Sequence, residues 1–202
     1  MDKHREGWER VTQRFPKVGI RVSSGKKNRR RDRSNMIEVP WSEAIGRKYP
    51  EPTVLVVSCD SEGKPNAMPA GWSMVTSGIP PMLAVSISHR NYTHKLIEGT
   101  GEFVLVFPNK EMKDLIDYAG SCSGRNKDKF AEYGIATSES KHVKPPLIRD
   151  AVACFECEVR GKLVTGDHTI FAGEVLASYI SEEYTDRLYN FGNGAHSTVT
   201  RD

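Results

Sequence analysis

The stretch NAMPAGWSMVTSGIPPMLAVSISHRNYT, residues 66–93, sets the reading of the whole chain. Two apolar, strand-like runs flank the turn Gly78-Ile79-Pro80-Pro81, and hydroxyl-bearing residues crowd both sides of it. Small residues around Ala70 and Gly71 let backbone approach a flat ligand closely. The stretch ends on Arg90, Asn91, Tyr92 and Thr93, one cation among several hydrogen-bonding groups. A guanidinium offers a fork of donors matched to phosphate oxygens. Thr93 sits where a helix can begin, so its hydroxyl and the first free backbone N–H groups can serve the same anion. A phosphate-bearing ligand is the expectation.

Upstream, residues 52–59 form a β-branched run of strand length, ended by the turn-prone residues 60–65. Downstream, residues 92–98 read as a short helix ended at Gly99, and residues 102–108 as a strand closed by proline. Met112, Leu115 and Ile116 predict a helix over 110–118, and Phe130 a second over 127–133. The glycine- and hydroxyl-rich residues 119–125 between them read equally well as a surface loop or a lid. Two alternating runs, 152–164 and 169–180, meet at Thr165-Gly166-Asp167-His168, a hairpin signal. Strands with short helices between them, in no regular alternation, predict a mainly β fold, a Greek-key-like antiparallel barrel with helical insertions. A doubly wound parallel sheet is the alternative.

The 202 residues suit one sizeable core. Charge is uneven: residues 1–35 carry 12 Lys and Arg against 4 Asp and Glu, and residues 36–202 carry 17 against 22. A basic, disordered extension on an acidic domain starting at residue 36 is expected. Its run Lys26-Lys27-Asn28-Arg29-Arg30-Arg31 admits a nucleic-acid arm, but aromatic interleaving is nearly absent and nucleic acid is not the favoured partner. No apolar run approaches the roughly 20 residues that span a bilayer, and no secretory signal is seen. A cytoplasmic setting follows, which suits four scattered cysteines. Cys154 and Cys157 fall in an alternating run that places them on opposite strand faces, against a dithiol or metal pair. No nucleophile elbow, zinc-protease helix or nucleotide phosphate loop is present.

From about residue 36 onward the chain resembles the flavin reductase-like family, which includes flavoredoxin. The resemblance rests on an ordered set: Gly63-Lys64-Pro65-Asn66, Trp72, Pro80-Pro81, Ser86-Ile87-Ser88, Tyr92-Thr93, Gly101-Glu102-Phe103, Ser123-Gly124-Arg125 with Asp128-Lys129-Phe130, Glu156-Cys157, and Gly166-Asp167-His168 leading to Gly173-Glu174-Val175. It implies an FMN-binding split β-barrel, with FMN at a homodimer interface. The isoalloxazine would lie against Ala70, Gly71, Trp72, Ser73 and Met74, and the phosphate near Ser86, Ile87, Ser88, Arg90, Tyr92 and Thr93. Lys129 would add charge at the phosphate. His168 would face the ligand or hold its hairpin through Asp167, and Arg125 would cover the flavin or lie on solvent. The implied activity is electron transfer from NAD(P)H to flavin or another small acceptor. The alternative is a flavoredoxin-like carrier reduced by a protein partner.

Overall fold

The run Val54–Cys59 shows no polar alternation because both faces of that strand are covered: every one of its residues is buried. Val54 and Val56 turn into a barrel interior with Val85, Ile87, Phe103, Leu105, Cys157 and Phe171. Leu55 and Val57 turn the other way, onto Leu115, Ile116 and Ala119. Each of the Val, Leu, Ile and Phe side chains among these, fully buried, stabilises the fold by about 1.5–3 kcal/mol.

The computed structural model describes residues 36–199; the basic segment read as a disordered arm lies outside them. A short α1 (Trp41–Ala44) and a 3-10 turn precede β1 (Glu51–Pro52), β2 (Val54–Cys59), β3 (Pro65–Ala70), β4 (Ser73–Gly78) and β5 (Pro81–Ser88). Next come α2 (Tyr92–Thr100), β6 (Glu102–Phe107), a 3-10 turn (Lys110–Met112), α3 (Lys113–Ser121) and α4 (Lys129–Tyr133). The chain continues through β7 (Thr137–Ser138), β8 (Leu147–Ile148), β9 (Ala153–Thr165), β10 (His168–Ile180), β11 (Tyr189–Asn190) and β12 (His196–Ser197). Pro40–Asp202 groups as one unit. Seven strands form one antiparallel sheet in the order β3-β2-β6-β9-β10-β5-β4, so β3 and β4, joined by Gly71 and Trp72, are its two ends. The barrel is split there. No helix among the described residues is long and apolar enough to cross a membrane.

The hairpins fall where the turn residues predict. Three helix limits do not. α2 runs past Gly99 to Thr100 and closes at Gly101, whose φ of 72° is the left-handed cap conformation glycine adopts at no steric cost. The stretch 110–118 starts as a 3-10 turn, with Asn109 capping it through Met112 N–H, and its helix continues to Ser121. The helix predicted over 127–133 begins at Lys129, because Asp128 caps it by accepting from Ala131 N–H.

Cys154 and Cys157 stand on opposite faces of β9, one against α3 and one in the barrel. Burial pushes their thiols up to about 11 and about 12. Between them is a buried carboxylate. Glu156 accepts from Lys141 N–H at 2.9 Å, His142 N–H at 2.6 Å and the Tyr179 hydroxyl at 2.7 Å. Burial alone would raise its pKa, but the three donors outweigh that and hold it below the ordinary glutamate value. The Tyr179 phenol is pushed up to about 12, chiefly by that bond.

A carboxylate with a lowered folded pKa contributes stability that is complete above the ordinary glutamate range and is lost as pH falls through the lowered value. Glu156→Gln is therefore expected to lose about 1–3 kcal/mol at neutral pH and to show a flatter stability profile on acidification. Urea unfolding midpoints across an acid-to-neutral series check both, and parallel profiles would contradict the assignment.

Candidate functional site

β3 contains Pro65 and Pro69, which the sheet tolerates because the strand lies at an edge. Along it lies a cleft of about 350 Å³, walled by the start of α2, the end of α3 and the turn before α4. Arg90, Tyr92 and Thr93 line it from one side, Cys122, Ser123 and Gly124 from the other, with Asn66, Met68 and Lys129 between. Arg90 and Lys129 are its cations, and no Asp or Glu is in the lining.

The N-terminus of α2 opens on this cleft with no side-chain cap, since the Asn91 amide donates instead to Met68 Sδ at 2.9 Å. Its first-turn N–H groups and dipole thus favour an anion. Thr93 is buried, and its hydroxyl accepts from Asn66 Nδ2 at 2.9 Å. Asn66 Oδ1, also buried, has no partner. A buried amide oxygen left unpaired costs about 1–3 kcal/mol, so a ligand donor would be well received there. Gly124 rides directly on that amide: a Cβ at this position would strike Asn66 Oδ1.

Lys129, expected to add charge at the phosphate, lines the cleft from behind. Its ammonium is buried and donates to Ala67 O at 2.9 Å and Ala119 O at 2.6 Å. It ties β3 to the end of α3, and burial lowers its pKa. Its charge backs the cleft while two of its donors are committed to backbone. The stretch 119–125, open between loop and lid, is a wall: it begins as the last turn of α3 and continues as the cleft-lining turn. Arg125 is exposed, with its guanidinium 5.7 Å from the Tyr92 ring centroid.

The remaining predicted residues gather elsewhere. Trp72 is half exposed and lies against His168, ring centroids 4.8 Å apart, with Lys48 Nζ 5.5 Å from the indole. His168 Nδ1 is 2.7 Å from Asp167 Oδ1, which is the hairpin-holding arrangement. That bond, then the charges of His168 and Arg90, holds the Asp167 carboxyl below its usual range. Ser86 N–H donates to Trp72 O at 2.9 Å, and Ser88 pairs with His168 across β5 and β10, so these four residues share one corner of the split. Ser73 opens β4 opposite Val85. Ile87 points into the barrel core and Met74 is exposed on β4; neither side chain lines the cleft. Ala70 and Gly71 line an adjoining hollow beyond Pro69 and Gly120. Asn66 and Met68 were not among the predicted binding residues, although an amide inside an apolar strand run is a visible signal.

An open antiparallel barrel with an anion-favouring cleft along one free edge defines the class: a split-barrel protein. The flavin reductase like domain model matches residues 45–198, and the chain belongs to that flavin-binding family. A protein of Archaeoglobus fulgidus is 42% identical over 128 residues, 63% of this chain and 71% of its own length. Among solved structures, a flavoredoxin from Methanosarcina acetivorans superposes with a TM-score of 0.74 at 28% identity, covering 84% of this chain and 94% of its own. An FMN-binding protein from Thermus thermophilus, with bound 1-cyclohex-2-enone, gives 0.70 at 28% identity, covering 83% and 96%.

Gly124→Ala is expected to push the turn or Asn66 aside, costing about 1–3 kcal/mol as an overpacked contact. Thermal unfolding checks this, and Asn66→Ala in the same background, by removing the struck atom, should recover part of the loss. An unaltered melting temperature in Gly124→Ala would mean that the wall yields freely.

Proposed function

We propose that the protein is an FMN-dependent oxidoreductase of the flavin reductase type, a cytoplasmic homodimer that takes a hydride from NAD(P)H and passes electrons to free flavin or another small acceptor. The observation that carries this reading is the cleft beside β3: cationic, free of carboxylates among its lining residues, and holding a buried amide oxygen without a partner. Arg90 and the first-turn N–H groups of α2 are the groups to hold a phosphate, with the Lys129 charge behind them. Asn66 Oδ1 is placed to accept from a ligand hydroxyl. Trp72 and His168, their ring planes tilted 35° to one another, form a polarisable aromatic pair at the far corner of the split, suited to contact with an aromatic ring. FMN, when bound, supplies the redox chemistry, and the protein's part is to position it and set its surroundings.

Dimerisation is supported by the apolar residues that β4 and two hairpin tips leave exposed: Met74, Val75, Ile79, Leu163 and Val164. An uncovered edge strand with apolar side chains is the kind of surface a partner covers. The likeness to a flavoredoxin favours a second reading, a flavoprotein reduced by a protein partner.

The purified protein should be yellow and release FMN, not FAD, on heating, as chromatography of the released cofactor will report. Arg90→Ala should lower FMN affinity at least about tenfold with the unfolding curve unchanged, because a charge-assisted bond to phosphate contributes about 1.5–3 kcal/mol. A colourless protein that takes up no added FMN would sink the reading. Anaerobic NADH or NADPH should bleach the flavin absorbance directly; bleaching only with a reduced protein partner would select the carrier instead.

A further inference from the structure

Two histidines where β5 gives way to α2 line neither of the hollows along β3. His89 follows the last residue of β5, and His94 is in the first turn of α2. Both aim a ring nitrogen at the same oxygen. His89 Nε2 is 3.1 Å and His94 Nε2 is 2.9 Å from Thr169 Oγ1. The two rings stand 5.0 Å apart between centroids with their planes at 73°.

The local fold fixes this triangle. His89 N–H donates to Asp167 O, which ties the end of β5 to the tip of the β9–β10 hairpin. The His94 ring packs edge-on against Phe171, centroids 5.2 Å apart, where Ile97 of α2 enters the barrel core. Thr169 is 2% exposed and alternates with His168 along β10, so its hydroxyl is on the opposite sheet face from the Trp72–His168 corner. His89 is exposed, which leaves the triangle open to solvent on one side.

A hydroxyl has one proton and two lone pairs, enough to bridge two imidazoles. The same three atoms also fit around one metal ion. Bonds of about 2.0–2.1 Å at angles between octahedral and tetrahedral set neighbouring ligand atoms roughly 2.9–3.4 Å apart, and the two distances to Thr169 Oγ1 fall in that range. Two imidazoles with no carboxylate between them suit zinc, nickel or copper, whereas magnesium and calcium call for carboxylate and carbonyl oxygens. Nearby charge does not oppose a cation: Glu98 stands one turn beyond His94 on the same face of α2, Lys162 is paired with Glu98, and Arg90 lines the cleft on the far side of the turn. Among the described residues no three His, Cys, Asp or Glu side chains stand together as a metal cage. Such a site therefore keeps open positions for water and exchanges its ion, unlike a closed structural zinc site. We propose that His89 and His94, with the Thr169 hydroxyl between them, form a binding site for a divalent transition-metal ion of the zinc, nickel and copper class.

The test titrates the full-length protein, stripped of metal with a chelator, with Zn2+ by calorimetry and repeats the titration with Mg2+. Zn2+ should bind one to one and raise the melting temperature, since an ion held only by the folded chain stabilises it, and Mg2+ should bind at least tenfold more weakly. His89→Ala should weaken Zn2+ at least tenfold and abolish the melting shift. His94→Phe, which keeps a ring against Phe171, should do the same. Because His89 is exposed, its variant tests the site even if His94→Phe fails to fold. Trace Cu2+ added to the isotopically labelled protein should broaden the amide resonances of His89, His94 and Thr169 before those of His142, His168 or His196. No Zn2+ binding, Mg2+ binding of equal strength, Zn2+ affinity unchanged in His89→Ala, or broadening centred on any other histidine would each overturn the proposal.

Discussion

The Lys129 ammonium, out of contact with water, is the constraint on which the cleft depends. A lone buried ammonium is costly, and burial lowers its pKa, yet its bonds to Ala67 O and Ala119 O offset much of that. One of those carbonyls is on an edge strand and the other is at a helix C-terminus, the two kinds of backbone group a fold leaves open. Joining them sets the distance between β3 and α3, and so the width of everything between. The Lys64–Asp128 pair at 3.6 Å and the Asp128 cap then set where α4 starts, which carries Lys129 inward.

The same logic explains why the strands were legible in the sequence and the site only in part. Strand existence follows from side-chain pattern: 54–59, 102–107 and 153–180 are apolar or alternating over their whole length, and the Gly-Asp and Gly-Ile-Pro-Pro turns leave little choice of register. Helix ends depend on a single residue's conformation. Gly99 and Gly101 are equally good stop signals on paper, and the chain uses the second, where Gly101 takes the left-handed conformation and its N–H bonds Ile97 O. The long alternating run around Cys154 and Cys157 was readable for the same reason the strands were.

Buried polar groups were not readable that way. Lys129, Asn66 and Glu156 each sit in a motif the chain displays openly, but their roles depend on partners 62, 27 and 14 to 23 residues away. Nothing in local periodicity says that Lys129 will be spent on two carbonyls, or that the Thr93 hydroxyl will be occupied by Asn66. The family resemblance implied only that Lys129 would add charge at the phosphate. Burial reassigns it, because an ammonium at 3% exposure must be satisfied from within the fold before it can serve a ligand.

What the fold achieves with these pieces is a separation of electrostatic character along one strand edge. On the α2 side of Pro69 and Gly120 the lining carries cations and an uncapped helix N-terminus; on the C-terminal side it carries a carboxylate and neutral hydrogen-bonding groups. The asymmetry arises from connectivity. The split of the barrel brings β3 beside α2 at one end, where the sequence has just delivered Arg90. The C-terminal strands fold back against β1 at the other, where Glu51, Asn190 and His196 come together. A ligand with a charged head and an uncharged body would therefore be oriented by the field before any contact with Trp72 or His168 is made. Reversing it would set an anion against Asp117 and leave the Arg90 side without a counter-charge.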